Sequence, residues 1–276
     1  MTVHNVQAGD ASIPCIGLGT WSVSGVECSQ AVAEALNAGY RHIDTASAYG
    51  NEEAVGEGIR ASGIARDEIF LTTKVAYPDI NDGDLQRSAE ASLRRLGVSK
   101  VDLLLIHWPN PAVPVRAAVT ALCDARRLGY ASHIGVSNFT LPMVEEALAV
   151  ADAPLCVNQC EYHVRLDQSR MLASCRTKGI GFEAYSPLGR GAVLDNPTVQ
   201  EIARSHSKTP GQIVLRWLVQ QPGVITIPRS TNPQRIRENL AIFDFALTES
   251  EMTSLSALAV PNGRVVSPPF APVWDE

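Results

Sequence analysis

One theme recurs along this chain: a short apolar run, a polar or glycine-marked turn, then a segment with helical spacing. The runs are Ile16–Gly19, His42–Asp44, Ile69–Thr73, Val101–Ile106, His133–Val136, Val157–Glu161, Gly181–Tyr185 and Val224–Ile227. Between them, Leu85–Leu96 places apolar residues at 85, 89, 93 and 96 and meets Gly97, a helix stop. Leu141–Ala149, Asp167–Lys178 and Pro233–Ile242 read as helices in the same way. Pro210–Gln221 adds a second helix before the last run, and Glu249–Leu258 follows the eighth unit. Residues 3–14 predict a hairpin turning at Ala8-Gly9-Asp10.

Eight alternating units over roughly 250 residues predict an α/β protein built as a (β/α)8 TIM barrel. The hairpin precedes the barrel, and an extra C-terminal helix and tail follow it. The competitor is a doubly wound open sheet, which carries a glycine fingerprint after its first strand. Gly17-Leu-Gly19-Thr-Trp-Ser22 lacks the third glycine. Gly56-Glu-Gly58-Ile-Arg-Ala61 matches loosely but falls inside a helix rather than at a strand-to-helix turn. No linker, low-complexity stretch or charge block divides the chain, so residues 1–276 read as one domain.

Composition narrows the function. With 45% hydrophobic and 19% charged residues the chain can build a large core, and a net charge of -6 disfavours nucleic acid as a partner. No apolar stretch is long enough to span a bilayer, and the N-terminus lacks an apolar signal core. A cytoplasmic location away from membranes is expected. Cys15, Cys28, Cys123, Cys156, Cys160 and Cys175 include no CxxC pair, and read as buried small hydrophobes. The histidine and carboxylate spacings form no zinc pattern, so no metal is expected.

Chemistry in such a barrel belongs at the C-terminal ends of its strands. In YRHIDTASAYGNE, His42 and Asp44 face one side of a strand and Ile43 the other, and Tyr49 follows on a loop marked by Gly50 and Asn51. A buried Asp44 needs a partner. Reading the other strand ends brings Thr20 and Trp21, Lys74, His107 and Trp108, Ser137 and Asn138, Gln159, Tyr185 and Ser186, and Arg229-Ser230-Thr231 to the same mouth. Alone, Asp44 and Lys74 fit a structural ion pair, His107 a core histidine, and the tryptophans packing. Four titratable groups at one mouth are costly unless used. A Lys74 ammonium held by Asp44 is expected to lower the Tyr49 phenol from its usual value near 10, making it a competent acid. His107 would donate to the same substrate oxygen, polarising a carbonyl for attack at carbon.

These segments resemble the aldo-keto reductase family over almost the whole chain. The resemblance runs through GLGTW at Gly17–Trp21, Tyr40–Glu52, Lys74 in LTTKV, LLLIHWP ending at Pro109, and Ile134–Phe139. It continues through Val157–His163, Ala184–Gly191 and Ile227–Asn239. It implies a catalytic tetrad of Asp44, Tyr49, Lys74 and His107, with Tyr49 as general acid, and reversible hydride transfer between a nicotinamide cofactor and an aldehyde or ketone. It implies that Tyr185 stacks on the nicotinamide while Ser137, Asn138 and Gln159 bond its carboxamide. Thr20, Ser186, Leu188 and Gly189 complete the cofactor cleft, and Glu238 and Asn239 reach the adenine.

The last strand-to-helix junction also has a physical reading. Asn232 suits a helix N-cap and Pro233 the first helical position, and an anion is favoured there. Arg229, Ser230, Thr231 and Arg235 would hold the 2′-phosphate of NADPH, with NADH as a weaker cofactor. The family has Lys where this chain has Arg229, and the two are not equivalent. Val164 stands where a proline is common and carries no chemistry. The strand-four loop, Asn110–Pro114, is short and implies an open pocket lined by Trp21, Tyr49, His107 and Trp108. The tail from Val260 to Glu276, with Trp274, either lines that pocket or straps the surface.

The length and loops are most similar to the compact microbial 2,5-diketo-D-gluconate reductase group, which implies a monomer acting on keto-sugars, dicarbonyls or small aldehydes. Two other classes compete. One is an NADPH-binding sensor or structural protein without turnover, which loss of a tetrad residue would favour. The other is an isomerase-type barrel using Glu161 or Glu183, which no complementary ligand set accompanies.

Overall fold

The structure, a computed structural model, describes residues 3–275. Strands β1 (Asn5–Ala8) and β2 (Ala11–Pro14) pair antiparallel from Asn5–Pro14 to Ala8–Ala11, forming the expected hairpin. Eight parallel strands follow: β3 (Leu18–Gly19), β4 (His42–Asp44), β5 (Phe70–Val75) and β6 (Val101–Ile106), then β7 (Ala131–Ser137), β8 (Leu155–Glu161), β9 (Gly181–Tyr185) and β10 (Val224–Thr226). They hydrogen-bond in sequence order. Ile16 pairs with Thr226, and the N–H of Gly17 donates to the Thr226 carbonyl, so the sheet closes on itself. The fold is the (β/α)8 barrel that the sequence predicts.

Helices α1 (Gly25–Ala38), α2 (Glu52–Ser62), α3 (Asp84–Leu96), α4 (Val115–Arg127), α5 (Leu141–Val150) and α6 (Ser169–Lys178) each follow one of β3 to β8. Helices α7 (Pro197–Ser205) and α8 (Pro210–Val219) both follow β9, α9 (Pro233–Leu240) follows β10, and α10 (Glu249–Ser256) is the extra C-terminal helix. Gly97 ends α3 in the left-handed conformation, as its position predicts. Helix α6 starts two residues beyond Asp167, whose carboxylate accepts the N–H of Ser169. The near-fingerprint glycines serve packing. A Cβ on Gly56 would lie 2.2 Å from the Leu96 carbonyl oxygen, and one on Gly58 2.5 Å from that of Ser29. Only glycine lets α2 approach its neighbours α1 and α3 so closely.

The hairpin covers the end of the barrel where the strands begin. The Gly9 N–H donates to the Gly179 carbonyl, and Asp10 accepts from Arg126 on α4, His133 on β7 and the Cys156 thiol on β8. Burial works against the Asp10 charge, but His133 and Arg126 hold its carboxyl below the usual range. Spacing revealed no metal pattern, yet the fold brings potential ligand atoms of Asp10, His133 and Cys156 within 4.8 Å of one another. Arg126 already neutralises Asp10, and burial pushes the Cys156 thiol up to about 12, so the cluster reads as a hydrogen-bonded tie. All six cysteines are free and buried. Among the described residues no helix is long and apolar enough to cross a membrane.

Candidate active site

The segment after β4 is held in place before any catalytic group is considered. Tyr49 sits on a short 3-10 turn, Ser47–Tyr49, ended by Gly50 at positive φ. The Ser47 hydroxyl donates to the Lys74 carbonyl and accepts from the Ala76 N–H, pinning the turn to β5. On its other side the Asn51 amide donates to the carbonyls of Thr20 and Val23 and accepts from the Thr45 hydroxyl. Below it Glu52, buried at the start of α2, accepts from Thr73 and pairs with Arg95. The phenol is thus aimed by a ring of contacts among β3, β4, β5 and α2.

Asp44, Tyr49, Lys74 and His107 do converge. The Lys74 ammonium has three protons and three acceptors: Asp44 Oδ1 at 2.6 Å, the Thr45 carbonyl at 2.9 Å and the Tyr49 hydroxyl oxygen at 3.3 Å. Burial would lower Lys74, but the adjacent Asp44 carboxylate and Tyr49 outweigh it, so it stays charged with a raised pKa. The expected lowering of Tyr49 is overturned. Loss of water around the phenol outweighs the pull of Lys74, and Asp44 adds to the rise, so its pKa is raised. Tyr49 therefore carries its proton at neutral pH, and with Lys74 donating to its oxygen the phenol's own O–H remains to be given away.

His107 meets Tyr49 edge to face, with ring centroids 5.5 Å apart. Burial first, then Lys74, pushes its imidazole down to about 3, so it is neutral, with one N–H to donate. Its main chain is fixed by Val75, which accepts from its N–H, and by the Asn138 amide, which donates to its carbonyl.

A cavity of about 1300 Å³ opens above these groups. Tyr49 and His107 stand near one end, and Arg229, Ser230, Thr231, Arg235, Glu238 and Asn239 line the other. Along its floor, Asn138 sits at positive φ and accepts from the Tyr185 hydroxyl at 2.8 Å, which fixes the plane of that ring. Ser186 and Leu188 line the cleft beside Tyr185.

Three expected cofactor residues support the wall without lining it. The Thr20 hydroxyl donates to the Asp44 carbonyl, the Ser137 hydroxyl donates to the Gln159 carbonyl, and Gly189 packs on Val193 and His163. Gln159 does line the cavity, but carboxylates rather than backbone satisfy its amide: Nε2 donates to Asp44 and Glu183. Asn232 caps α9 as read, accepting the N–H groups of Gln234 and Arg235. The cap uses those donors, which leaves the Arg229 and Arg235 side chains as the anion-seeking groups. Neither forms an ion pair among the described residues.

The tail does reach the cavity, but through Val265, Val266, Ser267, Pro268 and Phe270 rather than Trp274. Trp274 stands behind the wall, its ring 6.0 Å from that of Trp108 and its face 3.7 Å from the Arg264 guanidinium. Glu276 lies outside the described residues. Phe270 stacks on Tyr77 at 4.2 Å and meets Trp108 edge-on at 5.7 Å. Sequence reasoning missed Tyr77, Phe270 and Arg190. Tyr77 lies two residues past β5 and was findable as an aromatic just beyond a strand end; Phe270 depends on the path of the tail. Arg190, at positive φ, lays its guanidinium 4.9 Å over the exposed Trp21 ring.

A closed eight-stranded barrel thus gathers an acid, an amine, a phenol and a neutral imidazole at one mouth, beside a long cleft ending in two arginines, an arrangement suited to an oxidoreductase. The chain belongs to the aldo/keto reductase family, whose model matches residues 15–260. An aldo-keto reductase of Mycobacterium sp. (strain MCS) is 45% identical over 248 residues, covering 90% of this chain and 87% of that protein. A solved structure provisionally named 2,5-diketo-D-gluconic acid reductase B has a TM-score of 0.98 and 44% identity, covering 100% of this chain and 98% of its own. A Bombyx mori aldo-keto reductase in complex with NADP superposes with a TM-score of 0.90 at 35% identity, covering 97% and 96%.

Proposed function

We propose that this chain, acting as one domain and as a cytoplasmic monomer, is an NADPH-dependent reductase of aldehydes or ketones that also runs in reverse. The observation that carries the proposal is the Tyr49 phenol, protonated at neutral pH and held 3.3 Å from a Lys74 ammonium whose other protons are taken by Asp44 and Thr45. Tyr49 and a neutral His107 both donate to the carbonyl oxygen, and Tyr49 gives its proton to the alkoxide. As the phenolate forms, Lys74 stabilises it without moving. A positioned acid of this kind contributes about 10² to 10⁴ in rate.

The donor set fits a dinucleotide phosphate. Tyr185 offers a ring held by its hydroxyl, Gln159 and Asn138 offer amides, and Arg229 and Arg235, with no ion pair among the described residues, offer cations at the far end of the cavity. When bound, the nicotinamide supplies the hydride. A phosphate on the adenosine ribose suits the two arginines, so NADH is the weaker cofactor. The Bombyx mori relative's complex with NADP supports this reading. Trp21, Tyr77, Trp108 and Phe270 make the substrate end aromatic, which favours small aldehydes and dicarbonyls over keto-sugars.

The test is oxidation of NADPH and NADH by wild type and Tyr49→Phe across aldehydes, dicarbonyls and keto-sugars. NADPH-linked turnover that the substitution abolishes is the expected result. Tight NADPH binding with no turnover of any carbonyl would overturn it in favour of a sensor.

A further inference from the structure

One buried carboxyl near the site has no part in the chemistry above. Glu183 lies on β9, is fully buried, and is reached by the same amide that touches Asp44. Gln159 Nε2 donates to Glu183 Oε2 at 3.0 Å and to Asp44 Oδ2 at 2.9 Å. An amide nitrogen has two hydrogens, and here each goes to a different carboxyl. The amide therefore cannot turn over without setting its oxygen against the Asp44 carboxylate and giving up its N–H bond to Glu183. Its Oε1 accepts from no described residue, and Gln159 lines the cavity.

We propose that Glu183 is a positioning residue: by holding one Gln159 hydrogen while Asp44 holds the other, it fixes the amide with Oε1 as the acceptor offered to the nicotinamide carboxamide. The inference rests on the reductase reading for the identity of the cofactor, and adds to it a residue that selects which end of Gln159 the cofactor meets. Asp44 alone would leave one amide hydrogen unclaimed and the side chain free to tilt. With Glu183 absent, the oxygen no longer has to face the cavity.

The surroundings fit a neutral Glu183. The titratable groups facing it are Asp44 and His42 from β4, Lys74 from β5 and Tyr49 above, and its Oε1 lies 3.4 Å from His42 Nε2. Lys74 spends its protons on Asp44, Thr45 and Tyr49, so no cation bonds Glu183. Burial first, then the Asp44 charge, raises its carboxyl to about 8. A neutral carboxyl accepts from Gln159 and adds no second negative charge beside Asp44.

The test needs no turnover. Binding of NADP+ is compared with binding of its 3-acetylpyridine analogue, which keeps the ring carbonyl and lacks the amide N–H that Oε1 would accept. Wild type should bind NADP+ more tightly by roughly three- to tenfold, as one hydrogen bond allows. Glu183→Gln retains a side-chain oxygen for Gln159 and should keep the preference. Glu183→Leu should erase it, and Glu183→Ala serves as the second variant if the leucine does not fold. Equal affinities in wild type, or an unchanged preference in the leucine or alanine variant, would overturn the proposal. A protein that binds NADP+ with this preference yet reduces no carbonyl would sink the reductase reading and leave the role of Glu183 standing.

Discussion

The buried carboxylate of Glu161 accepts the backbone N–H of Val266 at 2.8 Å, and its other oxygen that of Val265 at 2.6 Å. One side chain at the end of β8 thus anchors the tail whose next residues form a wall of the cavity. His163 adds a third hydrogen bond at 2.9 Å, which keeps the anion satisfied in a site with no water exposure. Glu161→Ala would take the acceptor from three donors, the Val265 and Val266 N–H groups and the buried His163 ring, at about 1–3 kcal/mol for each left unsatisfied. The expected outcome is a lower Tm, faster cleavage of the tail in limited proteolysis, and a raised KM with kcat for the smallest aldehydes little changed. Cleavage as slow as in wild type would show that Glu161 is not the anchor.

Arg229 and Arg235 line the far end of the cavity and form no ion pair among the described residues. Replacing either with alanine should weaken NADPH binding by about 10- to 100-fold, the worth of a charge-assisted hydrogen bond, and leave NADH affinity nearly unchanged. Fluorescence titration with both nucleotides checks this, and the NADPH affinity should also fall with added salt.

His42 sets an acid limit on stability. It is fully buried and pushed down to about 4, by burial first, with Asp44 pulling the other way. Unfolded, it titrates near 6.5. The folded state therefore binds fewer protons between those values, and the stability is present above about 6.5 and lost as pH falls through about 4. The loss between about pH 7 and pH 5 is on the order of 2 kcal/mol. Denaturant unfolding at the two values should show a smaller drop for His42→Asn than for wild type.

Gly56 separates packing from chemistry. A methyl group there would press on the Leu96 carbonyl oxygen at 2.2 Å, and backbone cannot yield as a side chain does. Gly56→Ala should cost about 1–3 kcal/mol in thermal or denaturant unfolding. It should leave KM and kcat near wild type, because Gly56 lies on α2 away from the cavity lining.

Which features could be read from the chain follows from how local their causes are. Asp44 ends its strand, Lys74 is next to last on its own and His107 directly follows one, and strand ends show in short apolar runs, so their convergence at one mouth could be read. The cap at Asn232 and the stop at Gly97 are equally local. The direction of the Tyr49 shift could not be read, because it depends on how much water the assembled mouth excludes. The place of Trp274 depends on Glu161, more than a hundred positions earlier, holding Val265 and Val266 and so setting the path of the tail. Glu161 and Glu183 were visible as strand-end acids but pointed toward a different chemistry. Only the fold shows that one grips the tail and the other the Gln159 amide.

The hairpin, tied through Asp10 to Arg126 and His133, covers the end of the barrel opposite the cavity. Under the proposed function, a long nucleotide and a small carbonyl compound would share the mouth of the one large cavity among the described residues. Whatever sits deepest must enter before its companion and depart after it. If that is the nucleotide, turnover follows a queue, and excess substrate arriving before the spent nucleotide has gone will stall the line.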